Sequence, residues 1–446
     1  MCSPLIFLYI LLVIANWKYA YWALIFCVPF SVQFGLTKTL SLSLPDEPIC
    51  WLFSLVFILL IANDPRILPK WWWNNPLLLI ILLQFIWLLV SVTLSTVFLL
   101  SVKFLLTKIW YLICFFILPV FVFREPRDFK NAFLLFLLPM LATIAVIMYR
   151  LATLHFSFSG IGAAVGDLYL NHVEYAAVIS IFFPLVCVAY PLTRNSKKRI
   201  RIALVILILL FIPVIFFTYA RVAILAVLFA MVVGVAVRLK VVNFIMPLLY
   251  GMIVVALLFL LKDNRYIDLH PDYYHTTMHS EYGEHISSTF KGGDVSSMER
   301  LYRWVAAIRM SVDRPLTGYG PHGFVYNYKP YAVTMFKTFV SNNREHSTTH
   351  NYFLYMLTEQ GWPAMLLYAL LIIVVFAQAQ NTYHRFDDRF YKYCTLGLVM
   401  AFAASFVNNF FSELIETHKA GALFYLIIAL LMILRQRSLE LLHSES

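Results

Sequence analysis

Charge is scarce in this chain: Asp, Glu, Lys and Arg make up 13% of 446 residues, against 62% hydrophobic ones. With a mean hydropathy of +0.80 and repeated apolar runs, that scarcity excludes an ordinary soluble domain and implies an α-helical membrane protein. Cysteine is also sparse, at six residues, with no CxxC pair and no spacing that suggests a disulfide framework. The first residues, MCSPLIFLYILLVIANWKYA, lack the basic stretch of a cleaved signal peptide, so a retained span is expected there. No repeat of fixed period and no low-complexity tract is found. HExxH and a Walker lysine are absent too, which removes two common routes to metal and nucleotide chemistry.

What charge there is has a pattern. Net charge is +11, but Lys and Arg sit in short loops between apolar runs, as cytoplasmic loops do under the positive-inside rule, so nucleic acid is not implied. The apolar runs cover 4–15, 19–36, 49–62, 76–100, 104–123, 131–149, 172–191, 202–217, 222–237, 242–261, 353–379, 391–411 and 420–434. Whether the first two form one broken helix or two is open from composition. The basic loop RNSKKRIR (194–201) anchors the orientation. Counting from it, the turn carrying Arg221 and the segment 262–350 face outward, and the C-terminus faces inward. The expected fold is all-α, with about 12 transmembrane helices and one large periplasmic loop between two late spans. Transmembrane helices over 1–261, the loop with a catalytic helix over 262–350, and further spans over 351–446 would form one membrane domain.

The polar stretch 298–361 holds most of the chemistry. In MERLYRWVAAIRM, Arg300, Arg303 and Trp304 fall at i, i+3 and i+4 and share one helical face. Arg303 also stands four residues after Glu299, the spacing of a surface ion pair of little worth. Arg300 is left as the principal functional candidate, since a guanidinium suits phosphate. Arg221 follows a turn at the membrane edge, where a cation is either an anchor or a functional group. RPLTGYGPHGF (314–324) reads as a tight glycine turn. Seven of the twelve histidines lie in the long segment. His275 and His279 have metal-pair spacing but no carboxylate partner, so a solvated loop is the better reading and no metal is assigned. His350 opens HNYFLYMLTEQG where a span begins; it is either a base or a residue beside the true cap, Asn351.

Together TYARVAILAV, RLYRWVAAIRMSVDRPLTGYGPHGF and HNYFLYMLTEQG, in that order about one outer loop, resemble the O-antigen ligase and O-antigen polymerase superfamily. The likeness runs from about residue 171 to the C-terminus. It implies a GT-C-like glycosyltransferase of the bacterial inner membrane, with its active site facing the periplasm, in which His350, Arg221 and Arg300 are catalytic. Glycan would pass from an undecaprenyl pyrophosphate donor to lipid A-core in the ligase branch, to a second carrier-linked unit in the polymerase branch, or to protein Ser or Thr in a third. Where the family turn often reads Ser-Arg-Gly, this chain has Tyr-Ala-Arg-Val. The ligase branch is favoured, without cofactor or metal and with inversion. Arg221, Arg300, Arg303, His172, Tyr175, Tyr319 and His346 are the expected substrate-binding residues, with Tyr326 and Tyr328 available to stack on sugars.

Two other readings compete. A polysaccharide transporter or flippase would carry polar residues at mid-membrane in related halves. A cell-wall polymerase would need a loop carboxylate, for which Asp263, Asp268, Asp272 and Asp294 are available.

Overall fold

The computed structural model describes residues 3–35, 41–194, 197–262, 265, 295–332 and 348–445. Among these, eleven helices are long and apolar enough to cross a membrane. They are α1 (Ser3–Cys27), α2 (Asp46–Asn63), α3 (Pro76–Thr93), α4 (Phe98–Val122), α5 (Pro126–Thr153), α6 (His172–Leu192), α7 (Lys198–Phe217), α8 (Arg221–Arg238), then α11 (Tyr352–Arg385), α12 (Arg389–Phe410) and α13 (His418–Glu445). Between α8 and α11 come α9 (Val242–Leu261), whose qualifying apolar stretch is shorter, and α10 (Val295–Asp313). The protein is an all-α polytopic membrane protein. A two-stranded antiparallel hairpin, β1 (Val32–Gly35) with β2 (Ser41–Leu44), accompanies it, pairing Val32 with Leu44.

Helices dominate because a chain in hydrocarbon must satisfy every backbone N–H and C=O within itself. Polar side chains set the breaks. The stretch α1 is two helices joined across a kink at Asn16 (φ −159°, ψ 90°), and the Tyr9 hydroxyl donates across it to the Ala20 carbonyl at 3.1 Å. There the side-chain carbonyl accepts from the N–H of Lys18 at 3.2 Å and that of Tyr19 at 3.4 Å, competing with the helix's own bonds. Its second half ends at Cys27, so the apolar run 19–36 finishes as a short turn and a strand. The run 76–100 is also divided: Ser95 Oγ accepts from the Val97 N–H at 3.0 Å and the chain restarts at Phe98. Asn75, Asn171, Asn351 and Asp388 each cap the helix that follows, filling amide positions that have no intrahelical partner.

The interior is built around α12, which is buried along nearly its whole length. Small residues let its neighbours approach closely. Ala223, Ala226, Ala230 and Gly234 line the α8 face, and a Cβ on Gly234 would press on Met400. Asn408 Nδ2 donates to Ser180 Oγ at 2.9 Å, tying α12 to α6 inside the bundle.

The two ends of the bundle differ in charge. At one end Arg389 donates to the Pro191 carbonyl (2.7 Å), Arg437 to the Arg124 carbonyl (2.6 Å), and the His384 ring bonds the Val237 carbonyl (2.8 Å). That end also carries the basic segments around Arg199 and Lys240. At the other end the Thr96 N–H donates to the Tyr319 carbonyl (3.0 Å) and Lys419 Nζ to the Pro29 carbonyl (2.8 Å). Tyr219 and the Phe156 carbonyl also meet there. The helix α10 and the chain entering α11 sit at this second, less basic end.

Candidate functional site

The site rests on a joint between the glycine turn and a kink in α11. Gly361 takes φ +80° and ψ −179°, a conformation that breaks the helix and that only glycine adopts readily. The turn after α10 docks on that break. The N–H groups of Tyr319 and Gly320 donate to the Thr358 and Glu359 carbonyls (2.9 and 2.8 Å), and the Trp362 N–H donates back to the Pro315 carbonyl (2.9 Å). A Cβ on Gly361 would overlap the Leu316 carbonyl oxygen, and one on Gly318 would collide with the backbone of Thr358 and Glu359. Glu359 accepts from the His322 N–H (2.8 Å), and Trp87 Nε1 of α3 donates to the Gln360 carbonyl (2.7 Å). The Pro-Leu-x-Gly-x-Gly and Glu-x-Gly segments are therefore two halves of one backbone contact.

With its C-terminal end held there, α10 delivers one face to the chain just before α11. Arg303 Nη1 donates to the Thr348 carbonyl at 3.3 Å, and Trp304 Nε1 to the Thr349 carbonyl at 3.1 Å. The Trp304 ring also stands edge-on to Phe410, 6.1 Å between centroids. Asn351 caps α11 by accepting from the Leu354 N–H at 3.1 Å. His350, immediately before it, is left-handed at φ 49°, a costly state for a residue with a Cβ. Its N–H donates to the carboxylate of Glu413, in the segment joining α12 to α13.

Electrostatics follow from this crowding. Burial, with the positive charges of Arg303 and Arg300 beside it, pushes the His350 imidazole down to about 3, so it is neutral at physiological pH. Burial pushes the Glu413 carboxyl up to about 7 against the pull of Arg303, the His350 N–H and Arg300. Burial also lowers the pKa of the Arg303 guanidinium. Arg303 Nε, Thr348 Oγ1 and Glu413 Oε2 are buried without a hydrogen-bond partner among the described residues. Two guanidinium groups, a neutral imidazole and a carboxyl near its titration point form a cluster that favours an anion and can accept a proton beside it.

Residues 204–369 match the family model described as O-antigen ligase. That segment is similar to the O-antigen ligase and polymerase superfamily, and the match supports that family for the chain. The matched segment contains Arg221, Arg300, Arg303 and His350 and stops short of Glu413. No curated protein matches the chain.

The expected site residues fare differently. Arg300 and Arg303 both act on His350. Arg303 is not a surface ion-pair residue: at 7% exposure it is buried, although the Glu299 charge does act on it. Arg221 opens α8 half-buried, after the left-handed Tyr219 (φ 56°). The helices α8 and α12 are antiparallel, with Phe229 beside Phe406 and Arg238 over Tyr393. Arg221 is thus at the Glu413 end of the bundle. His172 opens α6, also half-buried. Tyr175 is packed away at 1% exposure, edge-on to Tyr169, so it serves the core and presents no face to a sugar.

Tyr319 is also buried, its hydroxyl bonded to that of Tyr331 (2.8 Å). Tyr328 stacks on Phe324, whereas Tyr326 stays exposed. His346, His275 and His279, together with Asp263, Asp268, Asp272 and Asp294, lie outside the described residues. Glu413 was missed by sequence reasoning. Its one signal was an acidic residue in a short segment between two apolar runs, where ionised groups are costly.

Proposed function

We propose that this protein is an O-antigen ligase, transferring a glycan from undecaprenyl pyrophosphate to a hydroxyl of lipid A-core at the periplasmic face of the bacterial inner membrane. The observation that carries the reading is the pairing of Arg300 and Arg303 with a neutral His350 at the less basic end of the bundle. The superfamily match over 204–369 supports glycan transfer in general terms. In the proposed step the acceptor oxygen bonds to the anomeric carbon as the carbon–oxygen bond to pyrophosphate breaks, and the hydroxyl proton passes to His350. Charge developing on the departing diphosphate is held by the guanidinium groups, which need no reorganisation to receive it. Arg221 is proposed to hold the donor from the neighbouring helix end. Attack opposite the leaving group inverts the anomeric centre.

The low basicity of His350 has a consequence for the order of events. Burial is the larger cause of that depression, and the part due to the Arg303 and Arg300 charges is offset once a diphosphate lies between them, which makes the imidazole a better base. Donor binding therefore prepares the base for the acceptor.

The test is transfer by the purified protein from a carrier-linked glycan to lipid A-core, in the presence of a chelator. The expected result is activity in the wild type and a loss of about 100-fold or more in kcat for His350→Ala. A fully active His350→Ala enzyme removes the base assignment, and activity that needs an added divalent ion removes the metal-free mechanism. A deletion strain separates the branches: lipopolysaccharide without any O-antigen cap fits the ligase, whereas single-repeat caps favour the polymerase.

A further inference from the structure

A cavity of about 150 Å³ with ionisable side chains in its wall lies against the segment Ile415–His418, just after Glu413. Lys103, Thr107 and Lys108 of α4, His322 of the glycine turn, and Glu416 and His418 contribute to its wall. Lys108 Nζ donates to both carboxylate oxygens of Glu416 (2.8 and 2.6 Å) and to the Tyr425 hydroxyl (3.3 Å). The Tyr352 hydroxyl donates to Glu416 as well (2.5 Å). His418 Nδ1 is hydrogen-bonded to the Tyr111 hydroxyl, which reaches Asp46 at 3.4 Å.

An ion pair inside a membrane bundle is a poor way to gain stability, because desolvation offsets the attraction. Ionisable residues at such depth therefore point to function. The chemistry of the wall narrows the ligand. Lys103 and Lys108 are matched by Glu47 and Glu416, so the cavity offers donors and acceptors without a net field for an anion. The Phe104 and His322 rings meet edge to face at 5.6 Å and supply an apolar side. At about 30 Å³ per water, the space corresponds to roughly five waters, the scale of one hydroxylated ring. Glu413 and Glu416 share one short segment, and Tyr352 lies two residues from His350, so the cavity adjoins the proposed reaction centre.

We propose that this cavity is a subsite for one uncharged pyranose ring of the glycan substrate. The proposal rests on the glycan-transfer reading above. The ring could come from the donor or from the acceptor, and kinetics separates the two. Thr107→Trp would fill the cavity, and Thr107→Val, which keeps the side-chain shape and removes the hydroxyl, serves if the larger side chain prevents folding. KM for each substrate is measured with the full-length protein in detergent, alongside calorimetric binding of the phosphate-free donor glycan and of deacylated core glycan. The expected result for Thr107→Trp is a tenfold or greater rise in KM for one substrate with kcat unchanged, and matching weaker binding of that substrate's free glycan. For Thr107→Val the expected rise is two- to fivefold in the same KM. A folded Thr107→Trp protein with both KM values unchanged overturns the subsite, as do unchanged values in Thr107→Val where that variant has to stand in. If the wild type transfers nothing, the ligase reading falls and the binding arm decides: glycan binding that Thr107→Trp or its stand-in weakens sustains the subsite, and no binding to the wild type overturns it.

Discussion

His350 and Glu413 touch through one backbone hydrogen bond, yet the fold moves their titrations in opposite senses, down to about 3 and up to about 7. The sign for Glu413 is set by burial. Its folded pKa lies above its ordinary value near 4.5, so the native state holds the proton more tightly than the unfolded chain. The contribution to stability is complete below about pH 4.5 and is lost as pH rises through about 7. His350 is depressed and acts the other way, its contribution falling away as pH drops below 6.5 towards about 3. Glu413→Gln keeps the shape of the carboxyl without its charge. Relative to this variant, the wild type is expected to lose melting temperature between pH 5 and pH 8, measured by thermal unfolding in detergent; a difference that stays flat with pH contradicts the assignment. At this scale the helix face that Arg300 shares with Arg303 and Trp304, and the candidacy of His350, were legible from spacing and context. Arg303 was misjudged as exposed because i, i+4 spacing to Glu299 is the same on a solvated face and on a buried one. Glu413 belongs to no local pattern, and only the packing of α12 and α13 beside α11 brings it to His350.

Among the elements, the joint between the glycine turn and α11 is the most demanding. Gly361 has both a conformation closed to other residues and a carbonyl where a side chain would go. Gly361→Ala is expected to destabilise the protein by about 2 kcal/mol or more and to reduce transfer, because the turn that anchors α10 must lift from the kink. The check is melting temperature together with activity, with Gly251→Ala as the control: Gly251 is exposed and nothing lies within 4 Å of a Cβ there. Equal behaviour of the two variants removes the joint from the account. The glycines of RPLTGYGPHGF were readable as a turn, and the span beginning near Tyr352 was readable from hydropathy. That the turn and the kink are one contact was not, since backbone-to-backbone approach leaves no periodicity. The break at Asn16 falls in the gap between the apolar runs 4–15 and 19–36, whereas the one at Ser95 is hidden, because a single small polar side chain can divide an apolar run without altering its average hydropathy.

The whole molecule is sided. The short connections at one end of the bundle are the more basic, and the His350 cluster is at the other end. If the positive-inside rule holds, Tyr326, which is 50% exposed, faces the periplasm, and Arg199, also exposed, faces the cytoplasm. In a variant lacking the six native cysteines, Tyr326→Cys should react with a membrane-impermeant maleimide in intact spheroplasts, whereas Arg199→Cys should react only after permeabilisation. The reverse pattern would put the proposed reaction on the wrong side for a periplasmic ligase.

The amino-acid sequence by itself determined that this is a helical membrane protein, about how many times it crosses, and which short motifs hold its polar chemistry. These follow from hydropathy, loop charge and spacing along a single helix, all local properties. Tertiary structure decided which polar residues meet. It put Arg303 and Glu413 beside His350, buried Tyr175, and shaped a cavity with Lys108 and Glu416 in its wall. Those outcomes depend on helices far apart in the chain coming within hydrogen-bonding distance, where desolvation and charge set protonation states that no stretch of sequence carries alone.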